Sequence, residues 1–142
     1  MRLLVCGVVL VWAAALSVAD VRHRRLPNVL TLPGAVVVLS VAVVCGRGLP
    51  ALAGSLGLAA LYLSVHLALP AGLGAGDVKL ALAVGGLTGA FGADVWMLAA
   101  FGAPLLTAIV GAGIAVRDRA ATVPHGPSMC VASLTATALV VF

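Results

Sequence analysis

Few side chains in this sequence can move a proton, and two of them stand where a reaction could be built. The acidic residues are Asp20, Asp77, Asp94 and Asp118, and there is no glutamate. Asp77 lies in Gly74-Ala75-Gly76-Asp77-Val78-Lys79-Leu80, among small glycines at the edge of an apolar run, and Asp20 follows the first apolar run. An ionisable group bordering a membrane is costly to keep and marks a functional candidate. Two carboxylates sharing one proton can hydrolyse a peptide bond without a metal or a covalent intermediate. One takes a proton from water while its protonated partner polarises the carbonyl. Like charges at close range cannot both ionise, so the titration belongs to the pair. A helix N-terminus favours a carboxylate and a C-terminus disfavours it. That rule makes Asp77 the ionised base and Asp20 the protonated acid, although Arg22, Arg24 and Arg25 pull Asp20 the other way.

The elements that position these groups follow from composition. A chain of 142 residues that is 63% hydrophobic and 8% charged cannot cover a water-soluble globule with polar groups. The expected fold is all-α, a polytopic integral membrane protein forming one membrane-embedded domain over residues 1–142. Apolar stretches run roughly over residues 3–19, 29–45, 49–69, 78–93, 95–116 and 126–142. Each must be helical if it spans, because backbone groups in hydrocarbon need partners within their own segment. The fourth is short and glycine-rich, and either tilts or fuses with its neighbour around Asp94. With the N-terminus outside, the loops after helices one, three and five hold Arg22, Arg24, Arg25, Lys79, Arg117 and Arg119, leaving only Arg2 and Arg47 outside. The positive-inside rule thus supports six spans with both termini on the outer side of the cell inner (cytoplasmic) membrane. Asp20 and Asp77 then share the cytoplasmic face. Residues 1–20 also fit a secretory signal peptide ending at Ser17-Val18-Ala19. Cleavage there would start the mature chain at Asp20 with an odd number of spans.

Around Asp77, Gly74 and Gly76 are expected to supply backbone angles closed to other residues. Pro70 ends the third helix and leaves Ala71 to Gly76 as a flexible connection. Asn28 or Thr31 is expected to cap the second helix, with Pro27 and Pro33 limiting its start. Lys79 either steadies ionised Asp77 or holds a lipid phosphate. His66, at membrane depth, is expected to bond a neighbouring helix, and His125 to cap an aqueous loop. Asp94 and Asp118 read as solvated loop residues. Glycines of the third to fifth helices, among them Gly54, Gly57, Gly102, Gly111 and Gly113, read as packing faces. Cys6, Cys45 and Cys130 stand singly in apolar runs with no metal-ligand spacing, as small buried hydrophobes. Neither a metal nor a cofactor is expected. The net charge of +4 falls between apolar runs and points to membrane lipids rather than nucleic acid.

Three segments resemble those of type IV prepilin peptidases, the GxGD aspartyl proteases. They are Asp20 followed by Arg25-Leu26-Pro27-Asn28 and Leu30-Thr31-Leu32-Pro33; the Gly74 to Leu80 stretch, similar to Gly-x-Gly-Asp-x-Lys-Leu; and Pro124-His125-Gly126-Pro127, similar to Pro-Phe-Gly-Pro with His in place of Phe. The resemblance implies that Asp20 and Asp77 are catalytic, with Gly74, Gly76, Lys79, Pro27 and Asn28 binding substrate or supporting the loops. It implies cutting after a glycine that ends the short basic leader of a prepilin or pseudopilin, at the cytoplasmic face. Members that also methylate carry a cytoplasmic insertion, often with Cys-x-x-Cys, which is not seen here, so peptidase activity without N-methyltransferase activity is expected. The short form resembles the branch serving Flp-type tight-adherence pili. Which pilin is cut, and the oligomeric state, are not legible. The competing reading is a proton- or cation-coupled transporter with Asp20, Asp77 and His66 as its relay.

Overall fold

The computed structural model describes residues 2–23, 26–70, 73–115 and 123–141, with side chains described from residue 7 to 114 and from 123 to 141 within those ranges. Six helices follow one another: α1 Arg2–His23, α2 Asn28–Val44, α3 Gly48–Ala68, α4 Ala75–Gly89, α5 Ala93–Ala115 and α6 Gly126–Val141. One falls in each apolar stretch, with three shifts that matter for the site. α1 continues past Asp20, which places that carboxylate inside the helix. α4 starts at Ala75, because Gly74 is extended (φ −76°, ψ 149°) and serves as its N-cap. Asp77 therefore lies in the first turn of α4, at the helix start where it is expected. α5 starts at Ala93, so Asp94 sits exposed in its first turn and not in a connecting loop.

α3 and residues 93–114 of α5 are long and apolar enough to cross a bilayer, and α2 and α6 are shorter apolar helices. Large side chains point away from the bundle: Val11, Val36, Leu56, Phe101, Leu105 and Leu139 are each more than half exposed. Small ones fill the interior, with Ala81, Ala83, Gly85, Gly86 and Gly89 buried along α4. A water-soluble protein does not expose apolar surface on this scale. The pattern is that of a membrane protein, whose large side chains meet lipid and whose small residues let helices close on one another.

α4 is the central helix, packed against α2, α3, α5 and α6, while α1 leans on α6 and α2. Its closest partner is α3. There a Cβ built on Gly85 would overlap the carbonyl of Gly54, one on Gly54 would overlap the carbonyl of Gly85, and one on Gly89 would lie 2.7 Å from the carbonyl of Pro50. Ser55 adds a hydrogen bond to the Leu82 carbonyl (2.8 Å), and Trp96 of α5 donates to the Gly54 carbonyl (2.9 Å). At the far end of α4, Arg47 donates to the Ala90 carbonyl (3.1 Å) and lies over the Phe91 ring.

Packing does not explain every small residue. Gly113 has open space around it and Gly57 touches only the Trp96 ring, so neither belongs to a close helix contact. Cys130 is buried as expected, but Cys45 is exposed, because it ends α2 instead of facing the bundle. The side chain of Cys6 is outside the described residues. Positive φ occurs among the described glycines at Gly46 and Gly92, both at the end of the bundle remote from the acids.

The α3–α4 contact yields a direct test. Gly85→Ala forces a methyl group into the α3 backbone and should destabilise the protein by about 1–3 kcal/mol, the range for overpacking. Gly113→Ala should leave the unfolding midpoint in detergent unchanged. Equal midpoints for the two variants would remove the close backbone contact from the account of this fold.

Candidate active site

Both carboxylates are almost fully buried, Asp20 at 7% and Asp77 at 9% exposure. Burial of a charged group requires hydrogen bonds to replace water. For Asp77 the donor is local: Oδ2 accepts the Gly74 N–H (3.1 Å), while its own N–H donates to the Gly74 carbonyl (3.0 Å). This is the N3 half of a capping box, with the side chain reaching back to the N-cap amide. For Asp20 the donor is distant. Its Oδ2 accepts the N–H of Gly126, 106 residues later, at 2.9 Å. Gly126 is the first residue of α6, so Asp20 lies near the end of its own helix but at the start of another. Each acid is thus held by an amide at a helix N-terminus, where the dipole favours negative charge. Helix dipoles therefore do not distinguish the two, and base and acid cannot be assigned from helix ends alone.

The two acids line one cavity of about 270 Å³, together with Leu26, Asn28, Gly74, Ala75, Gly76 and Lys79. Pro27 lies outside it and lines an adjoining cavity of about 390 Å³ with Ala19, His23, Leu26 and Asn28. Segments separated in sequence are joined at this end by specific contacts. Buried Leu26 packs so closely on Gly76 that a Cβ there would lie 3.1 Å from the leucine Cβ. Lys79 Nζ donates to Asn28 Oδ1 (2.8 Å), linking the two motifs directly. The expected reason for the glycines needs correction. Gly74 has an ordinary extended φ, and a Cβ on it would only touch Asp77 Oδ2 at 3.4 Å; Gly76 matters for the close approach of Leu26 rather than for unusual backbone angles.

Several other expectations change. Neither Asn28 nor Thr31 caps α2: Pro27 is the N-cap residue, and its carbonyl accepts the N–H groups of Leu30 (3.0 Å) and Thr31 (3.2 Å). Asn28 is spent on Lys79. Pro33 lies inside α2 and does not set its start. Among the described residues His66 bonds the chain that follows its own helix rather than a neighbouring helix. It stands in the last turn of α3, and its Nδ1 lies 2.6 Å from the Leu73 carbonyl in the connection to α4. Within that connection, Ala71 and Gly72 fall outside the described residues. Arg24, Arg25, Arg117, Asp118 and Arg119 also lie outside them, and Arg22 is exposed at the end of α1.

His125 is not a cap on an aqueous loop. Its Nε2 lies 2.9 Å from the Tyr62 hydroxyl and its Nδ1 2.7 Å from Thr107 Oγ1. Thr107 already donates to the Ala103 carbonyl (3.0 Å), so it accepts from Nδ1–H and leaves Nε2 to accept the tyrosine proton. Burial pushes the pKa of His125 down and keeps the ring neutral. Sequence reasoning misses Tyr62, Thr107 and the Gly126 amide. Tyr62 offers a signal as the sole tyrosine, set in an apolar helix; a threonine in a membrane helix and a backbone amide offer none. Among the described residues no three His, Cys or Asp side chains gather as a metal-ligand set.

Two measurements probe this geometry. A Cβ at position 126 would lie 2.6 Å from Asp20 Oδ2. Gly126→Ala should therefore destabilise the wild-type background by about 1–3 kcal/mol and be close to neutral when Asp20→Ala removes the carboxylate. Equal costs in both backgrounds would exclude the contact. The fold holds His125 neutral, whereas the unfolded chain takes up a proton near pH 6.5. Stability from this group is therefore intact above pH 6.5 and lost as pH falls below it. The wild-type unfolding midpoint should drop more steeply than that of His125→Gln on going below that pH, and parallel curves would contradict a buried neutral ring.

A family model described as the type IV leader peptidase family matches residues 7–116. No curated protein and no solved structure matches the chain. The matched segment contains both acids and most of the chain, and the protein belongs to the type IV leader peptidase family.

Proposed function

We propose that this member of the type IV leader peptidase family is an aspartyl endopeptidase that removes the short basic leader of a type IV prepilin or pseudopilin, cutting after a glycine. The observation that carries the reading is that Asp20 and Asp77, from separate motifs, line one cavity. One carboxylate draws a proton from a water molecule as the water attacks the scissile carbonyl. The other, protonated, gives its proton to the carbonyl oxygen and takes it back as the tetrahedral intermediate collapses, while the first passes the proton taken from water to the departing amine. The site needs no metal or cofactor, because acid and base are both supplied by side chains.

Gly74, Ala75 and Gly76 form one wall of the cavity, so a peptide in extended form can lie along small residues there. Lys79 and Asn28 stand beside it and support the loops. In the proposed topology six helices span the cell inner membrane with both termini outside, and the cavity opens to the cytoplasm where a basic leader would lie. In the competing relay reading His66 would join Asp20 and Asp77, with its Nδ1 on the Leu73 carbonyl.

Purified protein incubated with a panel of prepilins in detergent should yield a product shortened by the leader, identified by mass. Asp20→Asn and Asp77→Asn should each lower the rate by at least about a hundredfold, the lower end of general acid–base contributions, while keeping the wild-type unfolding midpoint. Cleavage should continue in the presence of a chelator. Full activity of either variant would sink the paired-carboxylate mechanism. Proton-coupled flux in liposomes with no cleavage of any pilin would favour a transporter.

A further inference from the structure

Asp20 depends on a group that its own helix cannot supply. Near the C-terminal end of α1 the free backbone groups are carbonyls, which repel a carboxylate. The amide that holds Oδ2 belongs instead to Gly126 at the start of α6. Gly126 thus helps to set the position of Oδ2, and a Cβ at 126 would lie 2.6 Å from that oxygen, so the carboxylate would have to shift to admit it.

What fixes Gly126 is the residue before it. The His125 ring is tied to α3 through Tyr62 and to α5 through Thr107, and its carbonyl accepts the Met129 N–H (3.1 Å) in the first turn of α6. The bonds run in one direction: Tyr62 O–H to Nε2, Nδ1–H to Thr107 Oγ1, and Thr107 O–H to the Ala103 carbonyl. Each O–H and N–H donor in that chain is used once. Pro124 and Pro127 flank the pair and restrict the backbone on either side, so few soft torsions separate the anchored ring from the Gly126 amide. A phenyl ring at position 125 could fill the space but could make neither bond.

We propose that His125 is a positioning residue for Asp20: by bonding Tyr62 and Thr107 it fixes the Gly126 amide, and the amide sets where the Asp20 carboxylate stands. The inference rests on the peptidase reading. It assigns His125 no contact with substrate and no proton transfer. Its effect is on the turnover step, because substrate is bound by the walls of the cavity while the reaction needs the acids in register.

The test uses the purified full-length protein and a prepilin that the wild type cleaves. His125→Ala should lower kcat at least tenfold with KM changed less than twofold. His125→Gln, which keeps one donor and one acceptor, should recover most of the loss. Tyr62→Phe should lower kcat about threefold or more, and the double variant Tyr62→Phe/His125→Ala should be no slower than His125→Ala alone, because both act through one chain. The infrared carboxylate band assigned to Asp20 by difference from Asp20→Asn should shift in His125→Ala and in Tyr62→Phe, and return in His125→Gln. If His125→Ala does not fold, Tyr62→Phe carries both readouts. Wild-type kcat in the variants, a loss confined to KM, an unmoved Asp20 band, or a rate loss that Gln does not reverse would each overturn the proposal. Absence of cleavage by the wild type would instead overturn the peptidase reading.

Discussion

The arrangement depends on how closely α3 and α4 can approach. In lipid, apolar side chains gain nothing by leaving one apolar surface for another, so helices associate through packing and hydrogen bonds. Gly54, Gly85 and Gly89 bring two backbones together where side chains would hold them apart. With α4 held there, α2, α5 and α6 can surround it, and its N-terminus projects Asp77 into the space where α1 and α6 also end or begin. The acids line one cavity because a helix without bulk runs through the centre of the bundle.

The two carboxylates share one feature of their surroundings. Each accepts a backbone amide from a helix start, in one case local and in the other 106 residues away. Each is buried to nearly the same degree. An amide costs no side-chain entropy to hold in place and cannot titrate, so it fixes an acid without adding a competing proton. The two sites differ in what anchors the amide. Gly74 is part of the turn that carries Asp77 itself, whereas Gly126 is secured by His125 and, through it, by α3 and α5.

Much of this is legible in the sequence. Apolar run lengths locate the six helices, and the Gly74 to Leu80 and Leu26 to Asn28 motifs mark the residues that line or border the cavity. The remainder is hidden for identifiable reasons. A backbone amide has no signature in the one-letter code, so the Gly126 bond to Asp20 cannot be foreseen, although Gly126 stands in one of the three motifs. The extension of α4 to Ala75 escapes hydropathy, which marks where lipid begins and not where hydrogen bonding begins. The apolar run starts at Val78, but the helical turn that carries Asp77 starts earlier. Position in the chain suggests a depth for His66 and His125, whereas their partners are set by tertiary contacts: a loop carbonyl for the first, a tyrosine and a threonine for the second.

The bare contact between α3 and α4 also has a genetic consequence. Every amino-acid replacement of a glycine adds at least a Cβ, and at Gly54 or Gly85 even that atom has no room. These codons therefore have no conservative neighbour: any missense change at them is read by the cell as damage to the bundle, at positions that do not line the cavity. Screens for loss of function will recover such alleles beside those of the acids, and protein abundance will tell the two kinds apart.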